Sequence, residues 1–376
     1  MIDSLYFDNH TATKPFPEVQ EKFFRFSREY WAEPTSLHFL GQQQLYPFQK
    51  SVDSFFSELG AQDLDEIFFT SGGEEAVHQI LLNTYLQVAR ESGKTLFLTS
   101  QQEEMGKLEI LKQLGSVGCS SKQLSCNSKG QITREILEAA ITPRTALFSL
   151  SWANGLTGVL HPVADLAEVC KERNILFHLD ASYVVGKTFF RFQDLGVDFL
   201  TLDGSIMHAP KGVSLTFAKS GISVALPDAK KGANIPVISA FAEAVEMLQA
   251  KFEHYCMEIV RLRDLFERGL SEECPGVTAL FKGADRLPDC SVMAFPGVVA
   301  ESLLFLLNGK GVYASCGGGK FQSLTSLLMT TGMDFALANS ALSFIFSYDM
   351  TEEEIYRAIA IIAECFKQLR KSAGEI

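Results

Sequence analysis

Two stretches, Ile175-Leu-Phe-His-Leu-Asp180 and Phe199-Leu-Thr-Leu-Asp-Gly-Ser205, decide how the fold is read. Each is a short apolar run that stops on a carboxylate. Runs of this length between turn residues read as buried strands. Working outward, further strands are expected at 66–70, 95–99, 146–149 and 213–217, with helical patterns at 74–91, 103–114 and 163–172 between them. Strands alternating with helices mark βαβ units and a mainly parallel sheet. A right-handed crossover for each pair makes a doubly wound large domain. A long helical pattern at 240–270 then leads to a smaller C-terminal domain. That domain is expected to hold a strand at 291–295, a helix at 301–308, a Gly-rich loop at 317–319 and a strand at 341–346. Thr351-Glu-Glu-Glu354 is a capping box that opens the last helix.

In open α/β sheets, ligands sit beyond the carboxyl ends of the strands. Three such ends are polar here. Thr70-Ser-Gly-Gly-Glu-Glu75 runs through glycines into a helix start, where backbone N–H groups suit an anion such as phosphate. His178-Leu-Asp180 and Asp203-Gly-Ser205 place an acid at the other two. Taken singly, each also reads as an ordinary turn or helix cap.

The bulk numbers bound the answer. At 376 residues the chain exceeds one ordinary domain, so two domains around a shared cleft are expected. Hydrophobic residues make up 47% and charged residues 21%, which fits a globular protein. A net charge of −12 with no basic stripe argues against nucleic acid and anionic membrane as partners. The start of the chain carries Asp3 and Asp8 and no basic region, unlike a signal peptide. No apolar run is long enough to span a bilayer. The eight cysteines are scattered without a CxxC pair, which points to free thiols in a reducing compartment. The cytoplasm is the expected location, and no metal site is expected without a His/Cys cluster.

Several segments carry a resemblance from end to end. They are Tyr6-Phe-Asp-Asn9, Ser36-Leu-His38 with Gly41, Phe69-Thr-Ser-Gly72 with Glu75-Ala76, and Asn154 with Thr157-Gly158. Phe177-His-Leu-Asp-Ala181 with Val185-Gly-Lys187, Pro210-Lys-Gly212 and Thr351-Glu-Glu-Glu-Ile355 continue it. In this order they resemble the class V aminotransferase fold and, within it, the NifS-like cysteine desulfurases. The resemblance implies a large domain at 15–245 with a mainly parallel, seven-stranded-type sheet. It also implies a small C-terminal α+β domain at 246–376, joined by residues 1–14. It further implies a homodimer in which both subunits complete each active site, and pyridoxal phosphate as cofactor. In that family a lysine forms a Schiff base with the cofactor, and a loop cysteine takes sulfur from the substrate.

Carried over position by position, the resemblance is uneven. Asp180 matches the aspartate that pairs with the pyridine nitrogen. The family lysine lies in a motif reading Ser-Gly/Ala-His-Lys, two residues, then Gly-Pro-Lys-Gly. Here Pro210-Lys-Gly212 fixes the register, so Ile206 falls at the Schiff-base position, while Lys211 matches a second lysine outside that role. Among phosphate ligands, the helix-start threonine matches Glu74, the serine and histidine of the lysine motif match Asp203 and Ser205, and the partner subunit's threonine matches Ala233. A carboxylate about 5 Å from a phosphate costs roughly 3 kcal/mol per unit charge at an effective dielectric of about 20. The ring-stacking histidine matches Glu104, the asparagine and glutamine facing the phenolic oxygen match Gly155 and Tyr183, and the substrate-gripping arginine matches Ser343, which forfeits a bidentate contact. The acceptor cysteine matches Lys320, with Cys316 as a displaced thiol. Gly317-Gly-Gly-Lys320 is no P-loop, because Ala314 and Phe321 stand where Gly and Ser/Thr are required.

These departures lead to the expectation of a chain that is not an enzyme and binds no cofactor. It would be an accessory or regulatory dimer in sulfur transfer or iron–sulfur assembly, paired with itself or with an active paralogue, and partnered by a sulfur-transfer or scaffold protein. The alternative is an active pyridoxal-phosphate desulfurase or lyase with a relocated lysine such as Lys320. A third reading is an acidic pocket of Glu74, Glu104, Asp180 and Asp203 that takes a cationic ligand.

Overall fold

The computed structural model describes residues 4–222, 228–372 and 374. Residues 1–3, where the N-terminal reading begins, and residues 373 and 375–376, at the end of the expected small domain, lie outside the described residues.

After a short strand β1 (Leu5–Tyr6), seven strands build the main sheet. They are β2 (Glu66–Thr70), β3 (Leu96–Ser100), β4 (Ser120–Leu124), β5 (Thr145–Ser151), β6 (Leu176–Asp180), β7 (Phe199–Asp203) and β8 (Ser214–Ala218). Their order is β2-β8-β7-β6-β5-β3-β4. β8 runs antiparallel to both of its neighbours, and the remaining neighbours are parallel. The expected crossover for every pair therefore fails at β7–β8. The connection 204–213 is shorter than the dozen or so residues a crossover needs, so the chain turns back on itself. β5 is buried at every residue, as a strand covered on both faces should be. β4 was not among the expected strands. Ser120-Ser-Lys-Gln-Leu124 lies at the sheet edge with only Leu124 buried, so no apolar run announces it.

Nine helices carry the argument: α1 (Pro17–Glu29), α2 (Leu45–Leu59), α3 (Gly73–Thr84), α4 (Met105–Leu114), α5 (Val163–Glu172), α6 (Ile235–Ala250), α7 (Phe252–Glu273), α8 (Ala300–Gly309) and α9 (Glu352–Ser372). The single helix expected over 240–270 is two, broken at Lys251, whose φ of −112° and ψ of 11° leave the helical region. The break marks a change of core. Ile238, Phe241 and Val245 of α6 pack into the core around the main sheet, whereas Ile259, Leu262 and Phe266 of α7 pack into a second core. That second core gathers Leu5 and Phe7, the strands β10 (Cys290–Ala294) and β12 (Ala341–Ile345), and α8 and α9. β10 and β12 are antiparallel, with short β9 (Thr278–Ala279) beside β10, while β1 pairs with β11 (Val312–Tyr313). The capping box forms: Thr351 N donates to Glu354 Oε2 at 2.8 Å, and Glu354 N to Thr351 Oγ1 at 3.3 Å. No described helix is long and apolar enough to cross a membrane.

Register places the polar strand ends side by side. Thr70 and Asp203 both face Ser214 of β8, and Asp180 faces Ser151 of β5. The carboxyl ends of four strands and the start of β8 thus share one side of the sheet, and α3 and α4 start just beyond it.

Candidate functional site

A narrow cleft lies on this side of the sheet, with about 30 Å³ of water-accessible space, room for one or two waters. It brings together Glu74, Glu104, Asp180, Asp203, Ile206 and Lys320, together with Gly73, Gly106, Lys107 and Ser151. Asp180 ends β6 at its base. Asp180 Oδ1 accepts hydrogen bonds from Ser182 N at 3.0 Å and Ser182 Oγ at 2.5 Å. Burial pushes its carboxyl up to about 6, against the pull of the Lys107 ammonium. Ile206 follows β7 on a short turn and is 5% exposed, forming an apolar wall of the cleft.

Lys107 was not singled out in the sequence. Glu103 and Lys107, four apart on a helix, look like an ordinary surface pair. The signal that places it inward is its spacing: Lys107, Ile110, Leu111 and Leu114 fall on one helical face, and all four are buried. Its Nζ donates to Glu103 Oε2 at 2.8 Å and lies 3.4 Å from Ser151 Oγ. Glu103 also accepts from Ser151 N at 2.9 Å and Ser151 Oγ at 2.6 Å.

The segment that follows the glycine string borders the mouth through Lys320. Gly317 has φ 84°, and a β-carbon there would meet Gln322 O at 2.2 Å, so the turn demands glycine. Met105 N donates to Lys320 O at 2.8 Å, and Gln322 Nε2 donates to Gln101 O at 2.7 Å and Glu103 O at 3.0 Å. Lys320 Nζ lies 3.7 Å from Glu104 Oε1 and over the rings of Tyr183 (5.2 Å) and Phe321 (5.0 Å). Tyr183 OH donates a very short hydrogen bond to the same Glu104 oxygen. Burial and the Glu104 charge hold the Tyr183 hydroxyl well above its ordinary range, so it stays protonated.

Behind Tyr183 lies a second buried cluster. The His10 ring sits 4.7 Å from that of Tyr183, and His10 Nδ1 is 2.8 Å from Gly155 O. Lys187 Nζ is 2.6 Å from Asp289 Oδ2 and 3.0 Å from His10 Nε2. Burial, then the Lys187 charge, lowers His10, so a neutral ring donates from Nδ1 and accepts from Lys187 at Nε2.

Other residues read from the sequence stand apart from the cleft lining. Gly155 lies under Phe321 and Tyr183, which approach to 2.4 Å and 2.8 Å of where its β-carbon would stand. Ser205 donates its N–H to Asp203 Oδ1 at 2.9 Å. Ala233 packs against the main core before α6. Ser343 is fully buried in β12, and its Oγ donates to Leu156 O at 2.6 Å. Cys316 is half-buried against the second core, with its thiol pushed up by burial. All eight cysteines are free, and no described cluster of His, Cys, Asp and Glu could hold a metal.

The sequence pattern of the family described as "Aminotransferase class-V" matches residues 5–268. The chain belongs to the class V aminotransferase family. It is 29% identical to a cysteine desulfurase of Nostoc sp. over 379 residues, covering 97% of this chain and 94% of that one. It is likewise 29% identical to the cysteine desulfurase NifS of Azotobacter vinelandii over 380 residues, covering 97% and 93%. A solved structure named NifS-like protein superposes with a TM-score of 0.89 at 27% identity, covering 97% of this chain and 100% of that one. The mostly parallel α/β fold expected from the sequence is thus that of the family. The expectation of a chain that is not an enzyme is overturned, because relatives alike over nearly the whole length are named as desulfurases, which are enzymes. What misled that reading was the treatment of each departure as a loss of the whole activity.

This family depends on pyridoxal phosphate, which sets what the cleft of this chain would have to hold. Its residues fit. Asp180 is a buried carboxyl in the cleft lining, and Lys107 and Lys320 are amines on its wall. At the phosphate end the backbone fits: Gly72, at the N-cap of α3, leaves that helix start without a side-chain cap. The side chains there oppose an anion, although the Glu74 side chain is 63% exposed and so largely screened by water.

Asp180 gives the site a pH signature. A carboxyl raised from 3.8 to about 6 makes the folded state hold more protons between those values. Stability therefore falls as pH rises through that window and stays lowered above it. Asp180→Asn is expected to stabilise the protein by up to ~3 kcal/mol at about pH 8 and far less at about pH 4. Thermal unfolding of both proteins across this range checks it, and an equal gap at both ends refutes it.

Proposed function

We propose that this chain is a pyridoxal-phosphate enzyme of the cysteine desulfurase type, or a related lyase acting on L-cysteine, in which Lys320 supplies the cofactor-binding amine. The observation that carries this is the place of Lys320 in the lining of the cleft that also holds Asp180 and Ile206, with its backbone tied to α4. When bound, pyridoxal phosphate supplies a ring that stabilises negative charge on the substrate carbon next to nitrogen.

The chain's own residues do the rest. Asp180 would pair with the ring nitrogen and hold a proton there. Glu104, oriented by Tyr183 OH, takes or returns a proton at Lys320 Nζ, from which it stands 3.7 Å away. Phe321 and the pinned loop exclude water from above. Ser343 at the arginine position leaves the substrate carboxylate without a cationic grip, so weak substrate binding is part of the reading. Because Cys316 stands outside the cleft lining, no thiol among the described residues is placed to take sulfur as a persulfide, and the lyase outcome is expected. The C–S bond breaks as the α-proton is lost, sulfur leaves as hydrogen sulfide, and the released aminoacrylate adds water to give pyruvate and ammonia.

The reading includes a dimer, with itself or with an active paralogue, and a sulfur-transfer or iron–sulfur scaffold protein as recipient, both supported by the family resemblance. It also includes a division into 15–245 and 246–376 with 1–14, supported by the two cores. The test is direct. Protein incubated with pyridoxal phosphate and reduced with borohydride should carry a pyridoxyl group on the Lys320 peptide and release sulfide from L-cysteine. Lys320→Ala should lose both. A colourless wild-type protein with no reducible adduct overturns the proposal and leaves the fold to act through its surfaces.

A further inference from the structure

We propose that this cleft discriminates against the phosphate of its own cofactor, because two carboxylates, Asp203 and Glu74, stand beside the start of α3. The inference rests on the reading above and concerns which form of the pyridine ligand is taken.

A helix start offers backbone N–H groups and partial positive charge to one anion. Here α3 begins at Gly73 with no side-chain cap from its N-cap residue. Asp203 Oδ2 stands 3.1 Å from where a β-carbon on Gly73 would be, and Asp203 Oδ1 is held by Ser205 N at 2.9 Å. The carboxylate is therefore held beside the helix start by its own backbone turn. Glu74 adds a second charge: its carboxylate lies where a β-carbon on Gly106 would come within 2.4 Å, and its Oε1 is 3.8 Å from His78 Nε2. The cleft's two lining amines, Lys107 and Lys320, are each committed to another acid, Glu103 and Glu104. A ligand phosphate entering here meets two carboxylates before it meets an ammonium. The ring end, with Asp180 at its base, carries no such penalty.

The consequence is a cleft that takes the unphosphorylated pyridine aldehyde about as well as the phosphorylated one. At solvent-like dielectric each carboxylate weakens phosphate binding by about tenfold. Titration of the protein with pyridoxal and with pyridoxal phosphate, followed by visible absorbance and calorimetry, is the experiment. Wild type is expected to bind the two within about threefold of each other. Glu74→Gln with Asp203→Asn removes both charges at constant shape and keeps an acceptor for Ser205 N. It is expected to tighten pyridoxal phosphate by about 100-fold while leaving pyridoxal unchanged. The single variants, which guard against misfolding of the pair, should each give about tenfold. Wild type preferring pyridoxal phosphate by 100-fold or more, or variants that tighten both ligands alike, overturn this inference and leave the proposed function standing. Failure of both ligands to bind any of these folded proteins overturns the two together.

Discussion

Lys107→Met is expected to destabilise the protein by about 3–5 kcal/mol, the cost of removing one partner of a buried ion pair. Lys107 and Glu103 have side chains 3% and 1% exposed, so neither charge can turn to water. Glu103 keeps two hydrogen bonds from Ser151 after the change, but its charge loses its only ion-pair partner among the described residues. Glu103→Gln in the same chain should recover at least half of the loss, because the amide still accepts from Ser151 N and leaves no charge behind. A double-variant cycle by chemical denaturation measures this. The pair has a functional side. Lys107 is the main charge drawing the Asp180 carboxyl down, so its removal should carry Asp180 further above about 6. If Lys107→Met unfolds at the wild-type denaturant midpoint, the pair contributes nothing net and the assignment of Lys107 as a buried cation is wrong.

Lys107 also shows where the sequence was hard to read. The strands legible beforehand were those buried on both faces, such as β5, β6 and β7, whose apolar runs stop at polar ends. β4 was invisible because an edge strand with one buried residue has the composition of a loop. The antiparallel turn into β8 was missed because hydrophobicity marks a strand and not its direction. In the site, Glu74, Glu104, Asp180, Asp203, Ile206 and Lys320 were readable, since family register alone puts them near one another, and the structure brings all six to one cleft. Charge balance was not readable. The buried partners of the cleft, Lys107 with Glu103 and Lys187 with Asp289 and His10, depend on contacts between residues 4 to 279 positions apart along the chain. Only the first of these leaves a local trace, the helical spacing of Lys107 with Ile110 and Leu111.

Ile206→Lys is expected to draw the cofactor-binding amine from Lys320 to position 206 and to tighten pyridoxal phosphate by at least about tenfold, or ~1.4 kcal/mol. Ile206 lines the same cleft as Asp203 and Asp180, so an amine placed there has acids in that cleft to pair with and is not expected to remain an unpaired buried charge. Lys320, by contrast, must leave Glu104 and the faces of two aromatic rings to reach inward. Loss of the isoleucine from the main core costs about 1–3 kcal/mol, which Ile206→Met, similar in length but lacking an amine, separates from the gain in binding. After borohydride reduction, peptide mapping of the variant should place the pyridoxyl group at position 206, and a further Lys320→Ala change should no longer abolish it. An adduct that stays on Lys320 would mean that the loop amine approaches more closely than the wall of the cleft does. A folded Ile206→Lys variant that takes up no cofactor at all would mean that the carboxylates around the start of α3, and not the position of the amine, decide whether this cleft binds pyridoxal phosphate.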